Sequence, residues 1–239
     1  MAASVLLADV GNSRVKVCLL GGAPIVSFAW REPQARQELR SYVERHAPTH
    51  IVLASTAPLA DEILTTSVWQ GFSIQQITAA NLPMPSLAHG TGIDRLLAAW
   101  LLFEQNHSAV VSADCGTAFT LDIVDAHGCF HGGAIGAGLA VQEQALQHAC
   151  PHLAAPVAGT PIIPQTTASA VFAGTSLALA ASISALAQRF EQQLGCTALR
   201  FLSGGDAARL QTLLPTWQLR DNLVLEALDL WVARAGNGA

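Results

Sequence analysis

Hydrophobic and polar positions along this chain predict one series of elements that runs through once and then starts again. Ser4–Val10 is an apolar run ending in Asp9-Val10-Gly11-Asn12-Ser13; Val15–Leu20 resumes it, Gly21-Gly22-Ala23-Pro24 turns it, and Ile25–Ala29 returns. Short apolar runs bounded by Gly, Pro and Asn predict strands joined by tight turns. Glu32–His46 carries Leu39 and Val43 at i and i+4, which predicts a helix. Ile51–Ser55 and Phe72–Ile77 predict strands on either side of a helix at Ala60–Trp69. Asn81–Gly92 is a Pro- and Gly-rich loop, and Ile93–Gln105 is a strongly apolar helix.

At Ala109–Ala113 the series restarts. That strand ends in Asp114-Cys115-Gly116-Thr117-Ala118; Phe119–Val124 follows, Asp125-Ala126-His127-Gly128 turns it, and Cys129–Ile135 is a third strand. Gly138–His148 is a helix, Pro151–Pro164 a Pro-rich link, and Thr167–Gln193 a long helix. Leu199–Leu202 is a strand ending at Ser203-Gly204-Gly205-Asp206, and Ala207–Leu214 and Leu225–Ala235 are helices. Strand–Asp-x-Gly–strand–turn–strand thus occurs twice, each time followed by alternating helices and strands. Alternation of this kind predicts an α/β fold, each half a mixed sheet flanked by helices. The duplication predicts two similar half-domains, 1–107 and 108–239, facing each other across a ligand-binding cleft.

Composition narrows the function. Hydrophobic residues make up 51% and charged residues 12% of the 239 positions, the balance of a folded chain. With 12 basic and 17 acidic residues the net charge is −5, so nucleic acid is not an expected partner. The five cysteines form no CxxC pair and read as reduced thiols. Met1–Leu7 lacks the basic start of a signal peptide, so a cytoplasmic location is expected. Ala168–Gln188 carries no charge, but it is built from Ala, Ser, Thr and Gly. It reads as a helix buried in the core or at a subunit interface, not as a membrane span.

The chemistry concentrates at the strand ends. In Asp9–Ser13, Gly11 allows a tight turn whose N–H groups can face an anion, and Asn12 and Ser13 add side-chain donors. Asp9 can hold Mg²⁺ through water, and Lys16 can balance phosphate charge. Gly116 and Thr117 make a second such turn, and two opposed turns can hold a triphosphate from both sides. Asp122 and Asp125 are either cation ligands or turn formers. Gly132–Gly138 is a glycine cluster before a helix whose N-terminal amides can meet an anion. Ser203–Asp206 suits a close approach to a nucleotide. Asp94, in the first turn of the apolar helix, is either a carboxylate favoured by the helix dipole or a general base; Arg95 can fork onto a carboxylate or phosphate. Cys129, His131, Cys150 and His152 fit no standard zinc spacing. There is no GxxxxGK[ST], no strand-opening GxGxxG and no GxSxG.

In this order, Asp9–Lys16, Gly92–Arg95, Asp114–Asp122, Gly132–Gly138, Thr167 and Ser203–Asp206 resemble the type III pantothenate kinases. These are bacterial enzymes of the actin, Hsp70 and sugar-kinase superfamily, whose halves have a ribonuclease H-like fold. The resemblance implies ATP-dependent phosphorylation of pantothenate to 4′-phosphopantothenate, the first step of coenzyme A synthesis. It implies ATP and phosphate contacts from Asp9, Val10, Gly11, Asn12, Ser13, Arg14, Val15, Lys16, Gly116 and Thr117. Asp9 would sit near Mg²⁺, and Asp94 would be the general base. Gly92, Ile93, Asp94, Arg95 and Thr167 would bind substrate, Thr167 from the partner subunit of a homodimer. A monovalent cation, K⁺ or NH4⁺, is implied, with Asp114, Asp122 or Asp125 as its ligand. The family usually carries a Tyr in the loop before Gly-x-Asp-Arg. Here Asn81–Thr91 has none, and the chain's one Tyr is Tyr42. Two alternatives follow: a non-catalytic regulator that keeps the fold, and a kinase for another small hydroxylated substrate.

Overall fold

The first apolar run is buried on both faces. In the computed structural model, which describes residues 4–22, 24–158 and 163–236, β1 (Val5–Val10) lies at the centre of a five-stranded sheet, with Leu6, Leu7 and Ala8 fully buried. A continuous apolar run requires such cover, whereas an alternating one tolerates a wet face. β1 pairs antiparallel with β2 (Val15–Leu19), which pairs antiparallel with β3 (Val26–Phe28). On its other side β1 pairs parallel with β4 (His50–Ser55), and β4 with β5 (Ile74–Gln76). Ala23 of the first predicted turn, residues 159–162 of the Pro-rich link and Met1–Ala3 lie outside the described residues.

Helix α1 (Pro33–His46) places Leu39 and Val43 in the core of this sheet, as the i, i+4 spacing predicts. Helix α2 (Pro58–Ser67) adds Ala60 and Leu64 to the same cluster. Helix α3 (Ile93–Asn106) buries Leu96, Leu97, Trp100, Leu101 and Leu102.

The second sheet repeats the order of the first. β6 (Val110–Cys115) is central, followed by the antiparallel β7 (Ala118–Val124) and β8 (Phe130–Ala137). β9 (Leu199–Ser203) runs parallel on the other side of β6, and β10 (Gln218–Leu219) runs parallel beyond β9. The two-residue β10 was not anticipated, being too short to show a period. The glycine cluster also departs from expectation: up to Ala137 it is strand, not loop. Its glycines serve close packing, since a Cβ at Gly133 would lie 1.6 Å from the Leu121 carbonyl oxygen and one at Gly136 2.5 Å from the Phe119 ring.

Helix α4 (Leu139–Ala149) follows. The long predicted helix is α5 (Thr167–Phe172), a π-helical turn at Ala173–Leu177, and α6 (Ala178–Leu194). By length and composition Thr167–Leu194 could cross a membrane, but Leu179, Ala180, Ile183 and Ala187 pack into the sheet's core. Most of the helix is not buried: only 33% of its apolar window is. Glu191, on α6, holds the Arg200 guanidinium at 2.6 Å and accepts from the Ala198 N–H, fixing the start of β9. A short helix, α7 (Ala207–Gln211), follows β9.

The division of the chain differs from the expected 1–107 and 108–239. The first unit comprises residues up to 84, 89–105 and those from 222 onward; the second comprises 85–88 and 106–221. The last helix, α8 (Leu223–Gly236), lies against β1, β2 and β4. Four polar contacts hold it there: Lys16 to Asn222, Gly21 N–H to Asp229, Trp231 Nε1 to the Asn81 carbonyl, and Arg234 to Glu104. Residues 85–88 join the second unit because Pro85 and Leu87 exchange backbone hydrogen bonds with Phe130 on the edge strand β8.

Candidate active site

In the first unit, three segments meet at the carboxyl ends of β1 and β4. The Gly11 N–H donates to the Arg14 carbonyl at 3.0 Å and closes the four-residue turn between β1 and β2. That amide therefore faces inward, not toward an anion as the sequence suggested. Trp30 Nε1–H donates to the Gly11 carbonyl at 2.9 Å, and Arg31 Nε–H to the Asn12 carbonyl at 3.3 Å. Arg14 is tied to β3 by its bond to the Ser27 hydroxyl at 2.7 Å, and Lys16 reaches Asn222 Oδ1 at 3.3 Å. Asp9 is half-buried on β1 opposite Lys16; Val10 and Val15 are buried beneath the turn, and Asn12 and Ser13 are exposed on it.

Thr56, just past β4, donates its N–H to the Val10 carbonyl at 3.2 Å. Its methyl group also adjoins Gly92: a Cβ on Gly92 would lie 3.1 Å from Thr56 Cγ2 and 2.6 Å from Asp94 Oδ1. The start of α3, with Gly92, Ile93, Asp94 and Arg95, is thereby docked beside the strand end that bears the Asp9 turn. Ile93 is buried, while Asp94 and Arg95 are half-buried; Asp94 Oδ1 accepts the Arg95 N–H at 2.8 Å. Thr56 was not foreseen. Its only signal in the sequence is a polar Ser55-Thr56 pair closing an apolar strand.

In the second unit the corresponding turn has three residues, Cys115 pairing with Phe119. It is held by backbone from two other segments. Gly138 N–H donates to the Thr117 carbonyl, and Asp206 N–H to the Cys115 carbonyl, each at 3.0 Å. Gly138 has no room for a side chain, since its Cβ would lie 1.9 Å from the Gly116 oxygen. Gly204, at φ +91°, would place a Cβ 2.7 Å from the Cys115 backbone. Asp114 is exposed and accepts from the Ser203 hydroxyl at 3.1 Å; Thr117 is exposed and Gly116 half-buried.

The N-terminus of α4 is not left open to an external anion in the way the glycine cluster suggested. Ala140 N–H donates to Asp206 Oδ2 at 3.3 Å, so the helix's own neighbour supplies the negative charge. Arg209 holds the other Asp206 oxygen at 3.1 Å and Glu143 at 2.6 Å. Burial first, then the charges of Asp114 and Asp206, push the Cys115 thiol up to about 12.

The remaining predicted residues do not join these turns. Asp122 is 2% exposed in the middle of β7. Asp125 lies just past the far end of β7, roughly 26 Å from Thr117 at strand rise per residue. Its Oδ1 accepts the N–H groups of His127 and Cys129, and its Oδ2 meets His131 Nε2 at 2.6 Å. Burial pushes the Asp125 carboxyl up, but those three hydrogen bonds and the His131 charge hold it below its ordinary value. Thr167 is exposed at the first position of α5, after the capping Thr166. A groove of about 650 Å³, lined by Ser184, Gln188, Glu191, Cys196 and Arg200 among others, touches none of the predicted site residues.

Duplicated sheets of this order, each ending its central strand in an Asp-x-Gly turn, define an actin-like fold. The archaeal actin homolog Ta0583 shares it, with a TM-score of 0.51 at 10% identity over 99% of this chain and 100% of its own. A putative Baf family transcriptional activator from Campylobacter jejuni has a TM-score of 0.72 at 19% identity, covering 97% of this chain and 99% of its own. Both likenesses speak for the fold alone. The family model of type III pantothenate kinase matches residues 5–189. The type III pantothenate kinase of Dichelobacter nodosus is 31% identical over 92% of this chain and 94% of its own. The chain belongs to the type III pantothenate kinase family.

Proposed function

We propose that this chain transfers the γ-phosphoryl group of ATP to the primary hydroxyl of pantothenate, giving 4′-phosphopantothenate and ADP for coenzyme A synthesis. The observation that carries this reading is the position of Asp94. Its carboxylate shares the Gly92 position with Thr56, whose amide is bonded to the end of β1. A carboxylate, a hydroxyl side chain and the Asp9 turn therefore stand at one strand end, which supports Asp94 as the base.

In the step itself, the pantothenate hydroxyl loses its proton to the Asp94 carboxylate as its oxygen bonds to the γ-phosphorus. The bond from that phosphorus to the bridging oxygen breaks, and ADP leaves with the electron pair. Little covalent chemistry falls to the protein, so its work is orientation and neutralisation of charge. Asn12, Ser13, Lys16 and Gly116–Thr117 supply phosphate contacts, and Arg95 and Thr167 the substrate contacts, Thr167 from the second subunit of a homodimer. Asp9, Ser55 and Thr56 offer only oxygen atoms at the strand ends, a donor set that suits Mg²⁺. Asp9 would hold it, and the ion would neutralise phosphate charge. For the monovalent cation, Asp114 is the preferred ligand. It is exposed beside the Ser203 hydroxyl, an all-oxygen setting, whereas Asp122 is buried and Asp125 stands beside a thiol and an imidazole, donors that K⁺ does not select. The location is cytoplasmic.

The test is conversion of pantothenate in ATP, Mg²⁺ and K⁺, with the product identified by mass spectrometry. Product forms, and Asp94→Asn lowers kcat by about 100-fold or more while ATP binding persists. Near-normal turnover in that variant removes Asp94 from the mechanism. Bound ATP without product removes pantothenate as the substrate.

A further inference from the structure

The β7–β8 hairpin places a thiol, an imidazole and a carboxylate together at the end remote from the phosphate turn. Ligand atoms of Asp125, Cys129 and His131 all lie within 4.8 Å of one another. We propose that these three residues form a binding site for a divalent transition metal of the zinc class, separate from the nucleotide's cation.

The local backbone is built to converge them. Asp125–Gly128 is a tight turn in which Asp125 N–H donates to the Cys129 carbonyl and Gly128 N–H to the Asp125 carbonyl. Asp125 Oδ1 is pinned by two backbone amides, which leaves Oδ2 directed to His131. Cys129 and His131 flank the fully buried Phe130 and are themselves half-buried, so alternation turns both away from it. The ladder skips a residue here: Val124 pairs with Phe130, but Ile123 pairs with Gly132, which leaves His131 as a bulge. Gly132 takes φ +91°, the left-handed conformation that such a bulge needs. Bulges re-aim side chains, and this one delivers the imidazole to Asp125.

The donor set selects the ion. Mg²⁺ and K⁺ prefer all-oxygen shells, whereas thiolate, imidazole and carboxylate together suit Zn²⁺ and its neighbours. Three protein ligands leave a fourth position of a tetrahedron for water or an external ligand. On binding, the Cys129 thiol proton goes to solvent, and the neutral imidazole keeps its one proton on the nitrogen that does not ligate. A search by Cys and His spacing alone misses the site, because the third ligand is an aspartate and Cys150 and His152 are not part of it.

The decisive measurement is titration of the full, tag-free protein with cobalt(II), followed by its thiolate charge-transfer absorption. One equivalent gives the band, Zn²⁺ abolishes it by displacement, and Zn²⁺ raises the Tm. Cys129→Ser loses the band, and His131→Asn weakens metal affinity by about tenfold or more. Cys150→Ser keeps the band, and circular dichroism shows each variant folded. A wild-type protein without the band, or a Cys129→Ser variant with the band intact, overturns the proposal.

Discussion

The two Asp-x-Gly turns begin from the same sequence pattern and share one main-chain brace, Thr56 N–H to the Val10 carbonyl in the first and Asp206 N–H to the Cys115 carbonyl in the second, but the rest of their support differs. The first, after β1, is braced by side chains: Trp30 caps the Gly11 carbonyl, Arg31 the Asn12 carbonyl, and Arg14 reaches back to Ser27. The second, after β6, is braced by main chain arriving from Gly138, Gly204 and Asp206. Long side chains can adjust; abutting backbones cannot. A repeat preserved in topology therefore gives one compliant turn and one rigid one, with different sensitivities to substitution.

The sharpest break in the comparison comes from alanine at the glycines. Gly138→Ala forces a Cβ to within 1.9 Å of a backbone oxygen, with a stability cost of about 3 kcal/mol or more. Thermal unfolding should show that loss, together with collapse of turnover. Gly11→Ala meets nothing nearer than 3.4 Å, so the same two assays should show a small change. Equal losses at both glycines would erase the distinction.

Next in size is pH. The turns hold different residues in one buried slot, Val10 in the first and Cys115 in the second, each 1% exposed. Cys115 titrates near 12 in the fold, against 9.0 for an ordinary thiol. Below pH 9 both states keep the proton and the thiol adds no pH dependence. Above it the unfolded chain loses its proton first, so stability falls as pH rises toward 12. Cys18, pushed up to about 11, adds to the decline in the first unit. Cys115→Ala should therefore flatten the fall in Tm above pH 9, by ~2 kcal/mol between pH 9 and 10.5. An unchanged slope would mean the thiol is not held protonated.

The smallest effect is expected at Trp30. Trp30→Phe keeps the buried ring but removes the donor to Gly11, costing about 1 kcal/mol. It should raise the KM for ATP more than it lowers kcat. Loss of kcat alone would separate that brace from nucleotide binding.

What the sequence made legible follows from how local each signal is. The Asp9 and Asp114 turns stand out because strand, Asp-x-Gly and strand occupy a dozen consecutive residues. The Leu39–Val43 spacing likewise fixed the core face of α1. Thr56 stayed hidden because its role depends on Gly92, and the bond that Asp206 makes to the start of α4 stayed hidden because that helix begins at Leu139, far off in sequence. The period of α8 shows that it has an apolar face, but not which sheet receives it. The bulge at His131 is equally silent, being a register slip between two strands that look regular when read alone.

The route of α8 has a consequence for how the molecule is made. Residues 106–221 form a continuous unit that can condense as soon as they leave the ribosome. The first unit cannot: β1, β2 and β4 wait for the chain's last helix, more than 160 residues further on, to cover them. Such distant closure is slow. The half that is synthesised first is therefore the half that matures last, its sheet completed only once α8 has been made.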